Sequence, residues 1–362
     1  MTSLSSEILE RRATIIGVGL IGGSIGLALR QNGWHVSGVD TDPVAISQAL
    51  KNGIIDVEGD DSNSTFIVIA VPSNQVAMVA LDALQRHTDP SLIVTDMAGV
   101  KSSICSSVGD PRFIGGHPMA GSEQIGNTGS RSDLFVGATW VLTPHESTPP
   151  ETYVRCVSIL HEIGAHTLAL SPEDHDRLVA LVSHVPHLVA ASLMNEASLA
   201  AQSDGALLQL AAGGFRDMTR VAAGDPGIWP DLVIENHKAI SDGLTHLIER
   251  LSNLRDDVDK QRKSNLSEVL STASFARNAL PGGTINRERL TQVRLPVPDQ
   301  PGVLSSVTST ASDLGVSVVD IEIAHSIEGD RGVLILVVET KHAQRFVEAL
   351  NQRGFSSSTL EL

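Results

Sequence analysis

The feature that most constrains this chain is Gly17-Val18-Gly19-Leu20-Ile21-Gly22, set between an apolar run, Ala13–Ile16, and a helical stretch. A GxGxxG turn joining a strand to a helix needs its glycines for three reasons: a tight turn at Gly17, close backbone approach by a ligand at Gly19, and close helix–strand packing at Gly22. Leu20 and Ile21 open the helix, whose first N–H groups and dipole then meet the phosphates of a dinucleotide. A second apolar run, His35–Val39, ends in Asp40 at the place where a ribose-binding acid belongs, about 20 residues on. A carboxylate there accepts bonds from the ribose hydroxyls and repels a 2′-phosphate. Asp42 adds to the repulsion and no Arg or Lys follows closely, so the pattern points to NAD rather than NADP. Ala70-Val71-Pro72 ends a later strand at the same sheet edge and should line the cofactor cleft.

Three zones follow from the hydrophobic pattern. In residues 1–170, short apolar runs at Ala13–Ile16, His35–Val39, Thr65–Val71, Leu92–Thr95, Arg112–Gly115 and Thr139–Leu142 alternate with helical stretches. That predicts an α/β domain with a parallel sheet covered on both faces. Residues 171–285 read as all-α. Ser171-Pro172-Glu173-Asp174 is a helix start, and Leu178, Leu181, Val182, Val185, Leu188 and Val189 keep helical spacing past Pro186, which should kink the helix. A second long helix should follow Trp229-Pro230, with Leu232, Val233, Ile240, Leu244, Leu247, Ile248 and Leu251 on its buried face. Residues 290–362 alternate as βαββαβ, the order of a ferredoxin-like α+β sandwich.

A net charge of −16 speaks against a nucleic-acid partner, although one or two arginines inside a pocket still suffice for a small anion. The apolar runs fall short of the roughly 20 residues that cross a bilayer, and Met1–Arg12 does not read as a signal peptide, so no membrane partner is expected. Two cysteines, Cys105 and Cys156, are too few for a disulfide framework and fit a reducing cytoplasm.

Three polar clusters sit in apolar or Gly-rich settings. Gly115-Gly116-His117-Pro118-Met119-Ala120-Gly121-Ser122-Glu123 follows a strand, which puts His117 at the carboxyl edge of the sheet. Ser183-His184-Val185-Pro186-His187 places two histidines on one helix face. They could be a metal pair, but no HExxH and no third ligand accompany them, so no metal is expected. Gly213-Gly214-Phe215-Arg216-Asp217-Met218-Thr219-Arg220 precedes Asp225-Pro226-Gly227-Ile228-Trp229. Its charged residues could equally form a surface ion-pair cluster, and Trp229 could be a plain core aromatic.

In this order, GVGLIGGSIGLAL, HPMAGSE, SHVPH, GGFRDMTR and DPGIW resemble the prephenate and arogenate dehydrogenase family, from about Ala13 to the helices before Pro281. The resemblance implies a Rossmann domain, a helical dimerisation domain and a homodimer. It implies that His117 acts on the substrate ring hydroxyl as general base. It implies that Arg220 binds a substrate carboxylate, with Glu123 and Asp217 holding Arg220. His187 orients the side-chain end of the substrate, and Trp229 and Gly213 shape the pocket together with His184 and Ser122. The implied reaction is oxidative decarboxylation of prephenate, or of arogenate, with NAD. The family stretch D-x-x-S-V-K is here Asp96-Met97-Ala98-Gly99-Val100-Lys101, so Gly99 replaces a serine; Ser102, Ser122 or a water would stand in.

The third zone resembles an ACT domain through Asp299-Gln300-Pro301-Gly302-Val303-Leu304 and the Leu314-Gly315-Val316 turn. Asp299, Pro301, Gly302, Val303 and Leu304 then become candidates for binding tyrosine or another aromatic amino acid as an allosteric effector. Competing readings are a hydroxyacid dehydrogenase, whose Lys or His–Glu pair is not found in the helical zone, and a non-catalytic sensor of NAD and an amino acid. A histidine base would make turnover rise with pH near 6–7.

Overall fold

The structure is a computed structural model that describes residues 11–120, 126–224, 226–280, 290–298, 300, 302–325 and 331–361. The chain divides into two compact units, Met1–Leu251 and Ser252–Leu362.

The first unit is built on an eight-stranded sheet. Its strands are β1 (Arg12–Ile16), β2 (His35–Val39), β3 (Val57–Glu58), β4 (Phe66–Ile69), β5 (Ile93–Asp96), β6 (Phe113–Pro118), β7 (Thr139–Pro144) and β8 (His166–Ala169). Between them run α1 (Leu20–Gln31), α2 (Pro43–Lys51), α3 (Ser73–Arg86), α4 (Ser102–Ser107) and α5 (Pro150–Glu162). The order is β3-β2-β1-β4-β5-β6-β7-β8. β1 pairs in parallel with both β2 and β4, so the chain reverses its direction of travel across the sheet at β1. In a doubly wound sheet that switch point is where the ligand crevice opens.

β4 shows why these runs are strands. Phe66 and Val68 enter the core on one face, and Ile67 and Ile69 the core on the other. A two-residue period buried on both sides gives a continuous apolar run.

The expectation of a purely parallel sheet is corrected. β6 pairs antiparallel with β7, which then pairs in parallel with β8. An antiparallel neighbour needs no crossover helix, and the described part of the connection from β6 to β7 holds only a short 3-10 turn, Asn127–Gly129. β3 and β8 carry no apolar run: Val57 and Glu58 are both exposed, and in β8 only Thr167 is even half-buried.

The helical region begins with α6 (Pro172–Val179), where the Ser171 side chain accepts the N–H of Asp174 as a cap. α6 runs through a π turn, Ala180–His184, into α7 (Val185–Ala201). The disturbance expected from Pro186 takes this form, because proline has no N–H for the normal bond and the preceding turn widens. The whole segment Pro172–Ala201 is long and apolar enough, by length and composition, to cross a membrane, which the sequence runs alone did not show. Here it belongs to the folded unit, since Asp176 and Asn236 tie it to the sheet and to its neighbouring helix.

Then come α8 (Gly213–Thr219), α9 (Trp229–Glu235), α10 (His237–Asp259) and α11 (Lys263–Asn278). The single long helix expected after Trp229 is broken at Asn236. Its expected buried face is corrected as well. Ile240 is buried and Leu232 packs on the sheet core, but Ile248 and Leu251 are exposed. Leu178, Leu181 and Val182 are exposed too, while the same helix buries His175, Asp176 and His184. Val185 is buried, and Leu188, Val189, Val233, Leu244 and Leu247 pack around it with Ile240, as the spacing predicts. Apolar spacing thus identified the helices and much of their inward face, but not which further apolar residues stay exposed.

The second unit holds β9 (Leu290–Pro298), α12 (Val303–Asp313), β10 (Val318–His325), β11 (Arg331–Glu339), α13 (Thr340–Gln352) and β12 (Ser358–Glu361). The antiparallel order is β10-β11-β9-β12, the βαββαβ sandwich read from the sequence. Val293, Leu295, Leu334, Leu336, Phe346 and Leu350 fill its core. Gly302 precedes α12 at φ +93°, a conformation that glycine adopts without strain. Phe346→Ala should therefore destabilise this sandwich by about 3–5 kcal/mol, read as a lowered unfolding midpoint in denaturant monitored on the full chain.

Candidate active site

The glycine-rich turn meets its requirements atom by atom. Gly17 has φ +93°, and a Cβ there would strike the Ala70 carbonyl. A Cβ on Gly22 would collide with the Gly17 carbonyl oxygen and lie 3.1 Å from Ala70 Cβ. At Gly19 a Cβ would meet nothing within 4 Å, so the backbone there faces open space. No side chain caps the N-terminus of α1, where Leu20 and Ile21 begin the helix. Open space beside an uncapped helix N-terminus fits a pyrophosphate. Asp40 accepts the N–H groups of Val18 (2.8 Å) and Asp42 (2.9 Å), which locks its carboxylate against the turn. Val71 flanks Gly17, and Pro72 precedes α3 at the same edge.

His117 sits near the end of β6, half-buried, at the carboxyl edge of the sheet. Its Nδ1 lies 2.8 Å from His175 Nε2, and His175 Nδ1 lies 2.8 Å from Asp176 Oδ1. Asp176 also accepts the backbone N–H groups of Lys101 (2.8 Å) and Ser102 (2.9 Å). A carboxylate only accepts, so His175 carries its proton on Nδ1 and offers a lone pair at Nε2. That lone pair takes the Nδ1–H of His117. The Nε2 of His117 is therefore left as a lone pair, with nothing bonded to it among the described residues.

The surrounding charge keeps His117 neutral. Burial first, then His175, Lys101 and His184, push its pKa well below the ordinary histidine value, and Asp176 only partly offsets them. For Asp176, burial works to raise the pKa, but the bonds from His175, Ser102 and Lys101 outweigh it and the carboxyl is held low.

Asp96 and Lys101 form an ion pair that is wholly buried. Asp96 also accepts the N–H of Ala98 (2.9 Å) and of Gly116 (3.0 Å), the residue before His117. Removing either partner would leave an uncompensated buried charge. The pair thus fixes both the turn that holds Gly99 and the end of β6. Sequence reading used these residues only as a frame around Gly99 and missed His175, Asp176 and Asn236 entirely.

On the opposite wall, Asn236 Nδ2 donates to the Asp176 carbonyl (2.8 Å) and lies 3.2 Å from His184 Nδ1. An amide nitrogen donates, so Nδ1 of His184 accepts and its proton sits on Nε2. Burial pushes the His184 pKa down to about 4, which makes this ring a neutral donor. Trp229 brings the two predicted histidines together. His187 stacks on it with centroids 3.5 Å apart, and His184 meets it edge-on at 6.2 Å.

Arg220 is exposed and opens a 3-10 turn, Arg220–Ala223, that packs on α7. A Cβ on the next residue, Gly224, would stand 3.8 Å from the His187 ring. Gly213 and Asp217 are exposed on α8. Ser122 and Glu123 lie outside the described residues, as do Asp299 and Pro301. Of the predicted effector residues, Gly302 and Leu304 are exposed at the start of α12 and Val303 packs partly on the core.

Gly99 faces the His117 ring directly. A Cβ there would be 3.9 Å from both Cε1 and Nε2 of His117 and 2.9 Å from Leu232 Cδ1. Leu232, on α9, thus crowds the position of the family serine, and the space before Nε2 stays open. Ser102 is tied through its N–H to Asp176.

Residues 25–169 match the family described as prephenate dehydrogenase, nucleotide-binding domain; residues 171–272 match its dimerization domain, and residues 291–355 an ACT domain. Prephenate dehydrogenase of Bacillus subtilis (strain 168) is 31% identical over 354 residues, covering 92% of this chain and 95% of the relative. The chain belongs to the prephenate dehydrogenase family. The crystal structure of Synechocystis arogenate dehydrogenase is 31% identical, covers 74% of this chain and 99% of its own, and has a TM-score of 0.65. That of Aquifex aeolicus prephenate dehydrogenase with hydroxyphenyl propionate and NAD+ is 29% identical, covers 76% and 99%, and has a TM-score of 0.69.

For this dehydrogenase the geometry at Gly99 makes a test. Gly99→Val would put methyl groups into the space before His117 Nε2. It should cut kcat/KM at least ~10-fold, about 1.4 kcal/mol of barrier, with a far smaller change in unfolding midpoint.

Proposed function

We propose that the enzyme uses NAD to oxidise and decarboxylate prephenate, giving 4-hydroxyphenylpyruvate for tyrosine biosynthesis. The observation that carries this reading is the bare Nε2 of His117, a neutral ring at the carboxyl end of β6, on the sheet that also carries the glycine-rich turn. NAD supplies the hydride acceptor. The chain holds it through the turn from Gly17 to Gly22, through Asp40 at the ribose, and along Ala70, Val71 and Pro72.

His117 accepts the proton of the ring hydroxyl at Nε2 as hydride leaves the same carbon. Carbon dioxide then departs as the ring becomes aromatic, so the protein's main contributions are one base and alignment of the reacting atoms at about 3–3.5 Å. Arg220 anchors a substrate carboxylate, with Glu123 and Asp217 holding its guanidinium. His184 and His187, braced on Trp229, orient the far end of the substrate, and Gly213 and Ser122 complete the pocket. Arogenate is the second reading, favoured by the 31% identity to the Synechocystis arogenate dehydrogenase over 74% of this chain; it would give tyrosine directly.

We further propose domains at 1–170, 171–285 and 290–362 and a cytoplasmic homodimer. Support for the dimer comes from the exposed Leu178, Leu181, Val182, Ile248 and Leu251 within a region matching a dimerization domain. Both cysteines are free thiols, in keeping with a reducing compartment. Tyrosine or another aromatic amino acid would bind the ACT region, around the Gly302 turn, as an effector.

NADH formation with prephenate and with arogenate, each with and without tyrosine, tests the assignment; no NADH with either diene would overturn it in favour of a non-catalytic sensor. His117→Ala should lower kcat at least ~100-fold while substrate still binds. Arg220→Ala should mainly raise KM, and an unchanged KM would remove the carboxylate anchor. Because the His117 pKa is lowered and the neutral ring is the active form, kcat/KM should stay flat through neutral pH. Its acid limb should fall below the ordinary histidine value of about 6.5, rather than near 6–7 as the sequence alone implied. A pH–rate profile decides this.

A further inference from the structure

His175 and Asp176 are not among the residues assigned to the reaction, yet they complete an unbroken chain of bonds from the base into the protein. The chain runs from His117 Nδ1–H to His175 Nε2 at 2.8 Å, and from His175 Nδ1–H to Asp176 Oδ1 at 2.8 Å. His175 is wholly buried. Asp176 is pinned by two backbone N–H groups, so the far end of the chain is rigid.

The charged and titratable groups facing His117 are Lys101 from the turn after β5, His175 and Asp176 from α6, and His184 from the π turn. The nearby anions are engaged elsewhere: Asp96 in its buried ion pair with Lys101, and Asp176 against His175 rather than His117. A positive charge left on His117 would face Lys101 and sit one ring away from its counter-ion. On His175 the same charge would sit against the carboxylate.

Building on the reading of His117 as the base, we propose that His175 and Asp176 are the receiving end of a two-histidine proton relay. When the substrate hydroxyl releases its proton, an N–H bond forms at His117 Nε2. The Nδ1–H bond of His117 breaks, and an N–H bond forms at His175 Nε2. His175 keeps its Nδ1–H on Asp176. The substrate loses one proton, the pair of rings gains one, and His117 ends neutral with its proton on Nε2. No electrons pass along the relay; the oxidation occurs at the substrate carbon. The ring resets when the Nε2 proton leaves with product and the His175 proton returns to His117 Nδ1. His175 acts through His117 and is a positioning and relay residue.

His175→Gln separates the two roles, because the glutamine carbonyl still accepts the His117 Nδ1–H but does not take up its proton. The variant should lower kcat at least ~10-fold with little change in KM. In mixtures of H2O and D2O, the wild-type rate should bend as two protons in flight require, and that of His175→Gln should fall on a straight line. Wild-type kcat in the variant, or straight lines for both, would overturn the relay while leaving His117 as base.

A second measurement needs no turnover. In the full-length wild-type chain with 15N-labelled histidine, the resting spectrum should show the proton on Nδ1 and the lone pair on Nε2 in both rings. On acid titration the doubly protonated signature should appear at His175 while His117 shifts to the Nε2–H form. Double protonation of His117 first would sink the proposal. Failure to form NADH with either diene would instead sink the reaction, and this titration would still decide the relay.

Discussion

The carboxylate of Asp176 is the tie on which the arrangement around His117 depends. It comes from a helix outside the sheet, yet it accepts two N–H groups from the turn after β5 and one from the ring that orients the base. Buried carboxylates are costly unless their lone pairs are satisfied, and three charge-assisted bonds do that here. The crevice depends on the result. The helical region is fixed to the sheet at the very place where His117 emerges, so the two walls of the site cannot drift independently. The buried Asp96–Lys101 pair does the same work from inside the sheet, gripping the N–H before His117.

How much of this could be read beforehand depended on whether a residue's role was local. The expectations for Gly17, Gly19, Gly22 and Asp40 rest on one turn and one strand end, and at Gly17 and Gly22 the structure has the close backbone approaches that only glycine allows. The position of His117 at the end of a strand was legible from the Gly115-Gly116 run before it, whereas its role came only from the family resemblance. Asp176 was not legible. In Ser171-Pro172-Glu173-Asp174-His175-Asp176 it reads as one more acid in the first turn of a solvated helix. Its partners are the backbone of a distant turn, and no side-chain pattern records a backbone N–H. Asn236 was hidden likewise, as a break between two helices. The faces of those helices were read only in part, because periodicity reports an apolar stripe and not what covers it. Val185, Leu188, Val189, Leu244 and Leu247 pack inward as expected. Leu181 and Val182 point away from their own chain while His184 is sealed in.

The glycine at position 99 has a physical explanation that resemblance alone did not offer. Leu232 reaches over from α9, packs on the sheet core and stands 2.9 Å from where a Cβ on residue 99 would lie, so any larger residue there would have to displace it. Burial is the leading cause of the low pKa of His117. His184 presents the complementary case: its donor form is set by an amide rather than by a carboxylate. Two neutral imidazoles with opposite hydrogen placement give the pocket one acceptor and one donor without any net charge.

The wide turn at Ala180–His184 acts as a phase setter between two halves of one rod. Upstream of it the helix delivers His175 and Asp176 to the base; downstream it delivers His187 to the indole. Each residue advances an α-helix by about 100°, so the single widened turn fixes the angular offset between these two deliveries. A chain shortened there by one residue would keep its composition, its hydropathy and its helix, and would still rotate one half of its chemistry out of the crevice.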